Sequence, residues 1–439
     1  MRAESLERLN FMIKRSFIGL SKPRLEYGSL EDTPYLKQIP TSKEVTLLSN
    51  CPFDKKNLLL KKNATVKTGQ KLLLYNEKDG YVVSSVTGQV SSISSYTGDF
   101  GRSYTAIAIE AADDEETDNE FKSAAGGSKD TFLETIKNYL AFAPGNPPVK
   151  LFSDKDKPIN TIVVCCADSD LLITTNQYIV KSNIDAIKNG ISILKTATGI
   201  NDIIMVALQS QMHEVSATGE KVNQVNDTYP SALPHLIMKN ILGKVVPAGG
   251  KPEDIGVCFI SAEAVASIGN AFNSGQIPVT KIFTLVKKDG SKSLVSARIG
   301  TPASDIFKAF NITLNENDRI IFGGPMTGSS VYSEDHPVQS DTDAIIVQDK
   351  DDIPIISDYP CTNCGDCIRV CPANIQINLL VRFLEAGQYE EAAEQYDLYS
   401  CIECGLCSYV CVSGMPIFQY IRSAKHELGM ASTAEATNG

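Results

Sequence analysis

Cys361-Thr-Asn-Cys364-Gly-Asp-Cys367-Ile-Arg-Val-Cys371 and Cys401-Ile-Glu-Cys404-Gly-Leu-Cys407-Ser-Tyr-Val-Cys411 carry the spacing C-x2-C-x2-C-x3-C twice. Three thiolates two residues apart fold around one face of an iron-sulfur cubane, while the fourth, displaced by three, reaches away to the other cluster. The spacing therefore assigns one 4Fe-4S cluster to Cys361, Cys364, Cys367 and Cys411, and a second to Cys401, Cys404, Cys407 and Cys371. Structural zinc prefers two separated C-x2-C pairs closing one tetrahedron, which suits these packed runs less well. Disulfides need an oxidising compartment, yet Met1 to Gly19 has no continuous apolar run and carries Arg2, Glu4, Glu7, Arg8, Lys14 and Arg15. Cys51, Cys165, Cys166 and Cys258 lack a C-x2-C context, and the last three sit in apolar runs as small hydrophobes.

Outward from the motifs the chain reads as a multidomain α/β protein. Between them, Ile375 to Ala386 places Leu379, Leu380, Phe383 and Leu384 on one helical face. Gly387 and a second helix through Tyr396 follow, so residues 349–430 are expected to form a helical two-cluster ferredoxin domain, with a disordered tail over 431–439. Upstream, residues 278–348 give two strands (Lys281 to Lys287, Ser293 to Ile299), a turn at Gly300-Thr-Pro302 and a helix opened by Ser304-Asp305. That is the pattern of a small β-grasp (SLBB-like) domain. Residues 131–277 alternate helical and strand periods, which predicts a Rossmann-like parallel α/β domain. Its expected elements include a strand at Ile159 to Cys166, a helix from Asn176 to Asn189 and a strand at Asp202 to Leu208. The run Asp113 to Glu120 makes residues 113–130 an acidic linker. Residues 45–112 are short strands and turns, and Ala64-Thr-Val-Lys-Thr-Gly-Gln-Lys-Leu-Leu73 resembles the barrel-sandwich hybrid of lipoyl and biotin carriers. No modifiable lysine occupies a hairpin tip, so a swinging arm is not expected. Residues 1–44 read as an N-terminal arm in which Leu6, Leu9, Ile13 and Phe17 fall near helical spacing.

The chain has 439 residues, 43% hydrophobic and 21% charged, the balance of an ordinary soluble protein too long for one core. A net charge of -11 argues against nucleic acid as a partner. No run of about eighteen apolar residues occurs, so no transmembrane helix is expected and membrane association must be peripheral. The four histidines stand isolated in sequence, and no nucleophile triad, Walker loop or zinc-hydrolase signature appears.

Two further stretches resemble a family. The second cysteine motif continues as Met415-Pro-Ile-Phe-Gln-Tyr-Ile-Arg-Ser-Ala-Lys425, and Gly323-Gly-Pro-Met-Thr-Gly328 forms a GGPM-x-G turn. Together they resemble the C subunit of Rnf-type ion-translocating electron transport complexes, in a module order that is also similar over nearly the whole chain. The resemblance implies a peripheral subunit on the cytoplasmic side of the membrane. It would pass electrons between ferredoxin or another soluble carrier and membrane subunits, coupled to sodium or proton translocation. Many members resemble the flavin-bearing subunit of complex I and handle NAD at an FMN. Here the sequence departs from that pattern. The family's glycine-rich loop is replaced by Ala143-Pro-Gly-Asn-Pro-Pro-Val-Lys150, in which Gly145 stands among three prolines. The acidic turn after the following strand becomes Cys165-Cys-Ala-Asp-Ser-Asp-Leu-Leu172, with Asp168 and Asp170 in place of glutamates. A phosphate loop needs successive free N–H groups and proline has none, so Gly145, Asp168 and Asp170 are expected to be the remnant of a flavin and NAD pocket. The expected function is an iron-sulfur relay. Its rivals are an NADH:acceptor oxidoreductase subunit with FMN, and a docking scaffold whose clusters are structural.

Overall fold

In Glu44–Ser49 every second side chain, Val45, Leu47 and Ser49, is buried, the period of a half-buried strand. In the structure, a computed structural model that describes residues 22–30, 35–76, 80–98, 101–128, 131–154, 156–357 and 359–438, this strand pairs antiparallel with Ser103–Ala111. That strand pairs with Gly88–Thr97, and through it with Thr65–Val66. The hairpin Lys71–Leu73/Tyr81–Val83 adds Leu72 and Val82 to a core around Val90, Ile107 and Ile109. Gly88 is required here, because a Cβ on it would lie 2.0 Å from the Glu110 carbonyl oxygen. The helix expected over Leu6 to Ile18 lies outside the described residues.

The acidic segment that follows is only partly a linker. Glu120–Ala125 is a helix, and Phe121 packs edge-on against Tyr139 and Phe272 in the core of the next domain. One buried ring, worth about 2 kcal/mol, is enough to pin a solvated run.

Thr161–Cys165 and Asp202–Ala207 are apolar on both faces, as strands covered by helices must be. They form an all-parallel sheet in the order Lys221–Gln224, Asp202–Ala207, Thr161–Cys165, Val257–Ser261. The chain steps outward from Thr161–Cys165 on one side and then returns to place Val257–Ser261 on the other. The crevice beyond the carboxyl ends of those two strands is where sheets of this kind bind ligands. The single helix expected from Asn176 to Asn189 is two, Thr175–Ser182 and Ile184–Thr198, broken at Asn183, a residue type that competes for backbone hydrogen bonds. Ile184–Thr198 and Ala262–Ser274 pack backbone to backbone: a Cβ on Gly190 would lie 2.0 Å from the Val265 oxygen, and one on Gly269 2.0 Å from the Ala186 oxygen.

Thr280–Val286 and Lys292–Arg298 lie in a mixed six-stranded sheet ordered Leu36–Gln38, Lys292–Arg298, Thr280–Val286, Ala344–Gln348, Arg319–Phe322, Ser329–Val331. Its first strand comes from the N-terminal arm, so residues 36–38 belong to this domain and are not part of a separate arm as their sequence suggests. An open edge presents unpaired backbone groups, and the arm satisfies them. The cysteine motifs lie among the helices Asp366–Val370, Ile377–Glu385, Tyr389–Gln395, Leu406–Tyr409 and Ile417–Asn438. Leu380, Leu384, Leu398 and Ile421 fill their core. The last helix continues through Asn438, where a disordered tail is expected from 431; Ala431, Ala434, Glu435 and Ala436 there are strong helix formers. Among the described residues no helix is long and apolar enough to cross a membrane.

Candidate iron-sulfur sites and the crevice of the parallel sheet

Each cysteine motif bends its backbone in the same way. Asn363 and Gly365 in the first, and Glu403 and Gly405 in the second, all have positive φ, and each glycine begins a short helix that presents the third cysteine. The first thiol of each run accepts a hydrogen bond from the N–H two residues on, Asn363 to Cys361 Sγ and Glu403 to Cys401 Sγ, both 3.4 Å. The thiols surround two cavities. Cys361, Cys364, Cys367 and Cys411 line one of ≈ 350 Å³, with Thr362, Asn378 and Met415. Cys371, Cys401, Cys404 and Cys407 line the other, ≈ 340 Å³, with Ile402 and Phe418. Four thiols line each cavity, the ligand number of one 4Fe-4S cubane. Burial pushes the Cys404 thiol up to about 12 and the Cys367 thiol to about 11. Iron's positive charge would be what holds these sulfurs as thiolates there. These residues fit two 4Fe-4S clusters, which supply one-electron chemistry when bound.

The two cavities differ in their surroundings. Cys364 is exposed, whereas Cys404 and Cys407 are buried. Cys404, Leu406, Val410 and Val370 belong to one apolar core with Val163, Ile204 and Val206 of the parallel sheet and Ala167 just beyond it. Tyr229, buried, donates from its hydroxyl to the Cys404 carbonyl at 2.7 Å. Gly405 packs under the GGPM-x-G turn, where a Cβ would lie 2.6 Å from the Met326 oxygen. Lys425 donates to the Cys401 carbonyl (2.8 Å) and to Glu403 Oε1 (2.9 Å). At the matching place in the first motif the neutral Asn378 donates to Asn363 Oδ1 at 2.7 Å. The cation of that motif is Arg369, which pairs with Asp366 at the surface and reaches the Cys364 carbonyl at 3.4 Å.

The three residues singled out for a nucleotide pocket are held by the protein itself. Gly145 (φ +83°) donates its N–H to the Ser340 carbonyl, and a Cβ on it would lie 2.4 Å from the Ala264 nitrogen, inside the first turn of the helix Ala262–Ser274. Asp168 accepts from the Asn176 N–H (2.7 Å) and from Gln177 Nε2 (3.1 Å). Burial raises its carboxyl to about 6, those hydrogen bonds working against the rise. Asp170 accepts from the Thr327 N–H (2.8 Å) and hydroxyl (2.6 Å), and at 3.3 Å from the Met326 N–H. It clamps the GGPM-x-G turn onto the parallel-sheet domain, and Gly324 is there to let it in, since a Cβ would lie 2.2 Å from the Asp170 carboxyl carbon.

The helix start at the sheet's switch point is likewise filled. Ser261 Oγ caps it by accepting from the Ala264 N–H, and Lys281, fully buried, bonds to Glu263 and to the Ile282 carbonyl (2.8 Å). Burial works to lower the Lys281 pKa, but the Glu263 and Asp343 carboxylates outweigh it and keep the ammonium charged. A neighbouring cavity of ≈ 560 Å³ beside Phe142 and Asn146 has no lysine, arginine or histidine in its lining and includes Asp341. That lining offers a flavin phosphate no cation, and the carboxylate of Asp341 opposes an anion there. Lys281, Glu263, Tyr229 and the role of Lys425 were not read from the sequence. The signal for Lys281 was a lone charge inside the apolar run Val279 to Val286, and such a charge is buried only when paired.

Comparison with known proteins bears on both regions. Residues 146–270 match the Nuo51 FMN-binding domain family and residues 353–412 the 4Fe-4S dicluster domain family. The C subunit of the ion-translocating oxidoreductase complex of Methanosarcina acetivorans is 24% identical over 372 residues, 77% of this chain and 82% of that one. The chain is a relative of that protein. The C subunit of the proton-translocating ferredoxin:NAD(+) oxidoreductase complex of Clostridium ljungdahlii is 27% identical over 296 residues, so the chain spans 65%, just under two thirds, of its length. Its counterpart in the Na(+)-translocating complex of Acetobacterium woodii is 24% identical over 355 residues, 76% of this chain and 79% of that one. Among solved structures, an NAD+-reducing NiFe-hydrogenase in its H2-reduced state aligns with a TM-score of 0.46 and 11% identity, covering 74% of this chain and 69% of that chain.

Proposed function

We propose that this chain is the iron-sulfur electron-transfer subunit of a membrane-bound, Rnf-like complex. In it, two clusters relay electrons between ferredoxin or another soluble carrier and membrane subunits, coupled to ion translocation, without an NAD or FMN site in this chain. The observation that carries the reading is the pair of four-thiol cavities, one bordered by the exposed Cys364 and the other seated on the parallel sheet. The clusters are held by Cys361, Cys364, Cys367 and Cys411, and by Cys371, Cys401, Cys404 and Cys407. The four modules are a barrel-sandwich hybrid, a Rossmann-like domain whose crevice is filled from within, an SLBB-like β-grasp domain and a helical ferredoxin domain. The protein sits peripherally on the cytoplasmic face of the membrane. The match of residues 146–270 to an FMN-binding family favours a second reading, an NADH-oxidising flavin subunit. Titrating the anaerobically purified, cluster-loaded protein with NADH separates the two. The relay reading expects no bleaching by NADH and full cluster reduction by dithionite. Bleaching at stoichiometric NADH, with flavin present, overturns it in favour of the second.

A further inference from the structure

The first thiol cavity has an apolar rim. Ser357 donates its N–H to the Gly414 carbonyl at 3.2 Å, and Gly414, with φ +65° and no side chain, lets the backbone of 355–357 lie against the loop that follows Cys411. A Cβ on Gly414 would come within 2.8 Å of the Ile355 oxygen. This contact brings two exposed apolar stretches together. Ile355 is 88% exposed, Ile356 58% and Tyr359 77%, and Val412, which lines the cavity, is 51% exposed. Val412 stands where the other motif has Pro372. Solvent-facing apolar side chains gathered at a redox site need a cover, and nothing among the described residues supplies one. The surroundings are acidic: residues 349–412 hold eleven aspartates and glutamates against three lysines and arginines, and Asp351 and Asp352 are exposed beside the rim.

Resting on the relay function, we infer that Ile355, Ile356, Tyr359 and Val412 form the docking surface for a one-electron redox protein whose own centre is ringed by basic side chains. A small apolar contact with a charged rim is the build of a transient electron-transfer interface, in which charge steers the encounter and the apolar centre sets the distance. The step is one electron: the reduced cluster bordered by Cys364 returns to its oxidised state and the partner's oxidised centre gains the electron. No bond forms and no proton moves.

A small basic c-type cytochrome is the probe. The full-length protein, loaded with both clusters and reduced by dithionite, is mixed with ferricytochrome and haem reduction is followed by stopped flow. The second-order rate is expected to fall about tenfold from low to physiological ionic strength. Ile355→Ser/Ile356→Ser/Tyr359→Ser is expected to slow it about tenfold, and Asp351→Lys/Asp352→Lys to slow it and flatten its salt dependence. Leu59→Ser, exposed on the first module, is expected to leave it unchanged. The charge-reversal pair keeps the test open should the triple variant lose its clusters. Wild-type rates from both rim variants with intact cluster spectra, or a rate that rises with salt, overturn the docking surface. A wild-type protein that takes up electrons from dithionite and passes them to no carrier instead overturns the relay function beneath it.

Discussion

At the scale of single residues the two cluster sites are near copies that differ in charge. Both motifs hold their first thiol with an N–H two residues on, yet among the described residues only the second has a cation at that first cysteine, Lys425 on the carbonyl of Cys401 and on Glu403. Reduction of a cluster held there would add negative charge, which the Lys425 ammonium would stabilise. Lys425→Gln is expected to lower the midpoint potential of the cluster on Cys371, Cys401, Cys404 and Cys407 by roughly 40 mV, about 1 kcal/mol of lost charge stabilisation. The other cluster, whose first cysteine has the neutral Asn378 nearby instead, should keep its potential. A redox titration followed by electron paramagnetic resonance reads both; equal shifts would mean that Lys425 acts through the fold and not through its charge.

At the scale of elements, the parallel sheet and its helices follow from local patterns, but how closely the helices approach does not. Helix propensity alone makes Gly269→Ala stabilising by about 1 kcal/mol. The contact with the Ala186 oxygen reverses that sign, because the added methyl meets backbone that cannot swing away. Chemical denaturation of Gly269→Ala is expected to show a loss of about 3 kcal/mol. A gain would mean that the two helices separate more easily than their glycines suggest. The break at Asn183 and the buried Phe121 belong to this scale too: both are side-chain events that the average character of their segments hides.

For the whole molecule, the GGPM-x-G turn joins three domains. Asp170 of the parallel-sheet domain accepts its N–H groups, and Gly405 of the second cysteine motif packs against its Met326 carbonyl. Asp170→Ala leaves the Thr327 and Met326 N–H groups without their acceptor and is expected to cost roughly 3 kcal/mol. The loss should appear both as lower denaturant resistance and as faster oxygen bleaching of the cluster seated on the sheet. Loss of stability with unchanged bleaching would show that the turn holds the domains together without shielding that site.

Much of this protein is written locally. The cysteine spacing marks eight candidate ligands because a cubane measures distances of only a few residues, and the strands and helices follow because their periods of 2 and 3.6 recur within a few turns. What became of the crevice is not written there. Gly145, Asp168 and Asp170 look in sequence like pocket residues, and their chemistry would permit it. Asp170 meets Thr327, 157 positions away, and the Gly145 N–H meets Ser340, so long-range packing gives these residues partners inside the protein that the local sequence does not show. Which thiol cavity faces solvent is settled in the same way. The two motifs have equivalent spacing, and only the seating of Cys404, Leu406 and Val410 on the sheet's apolar face buries one site and leaves Cys364 of the other exposed.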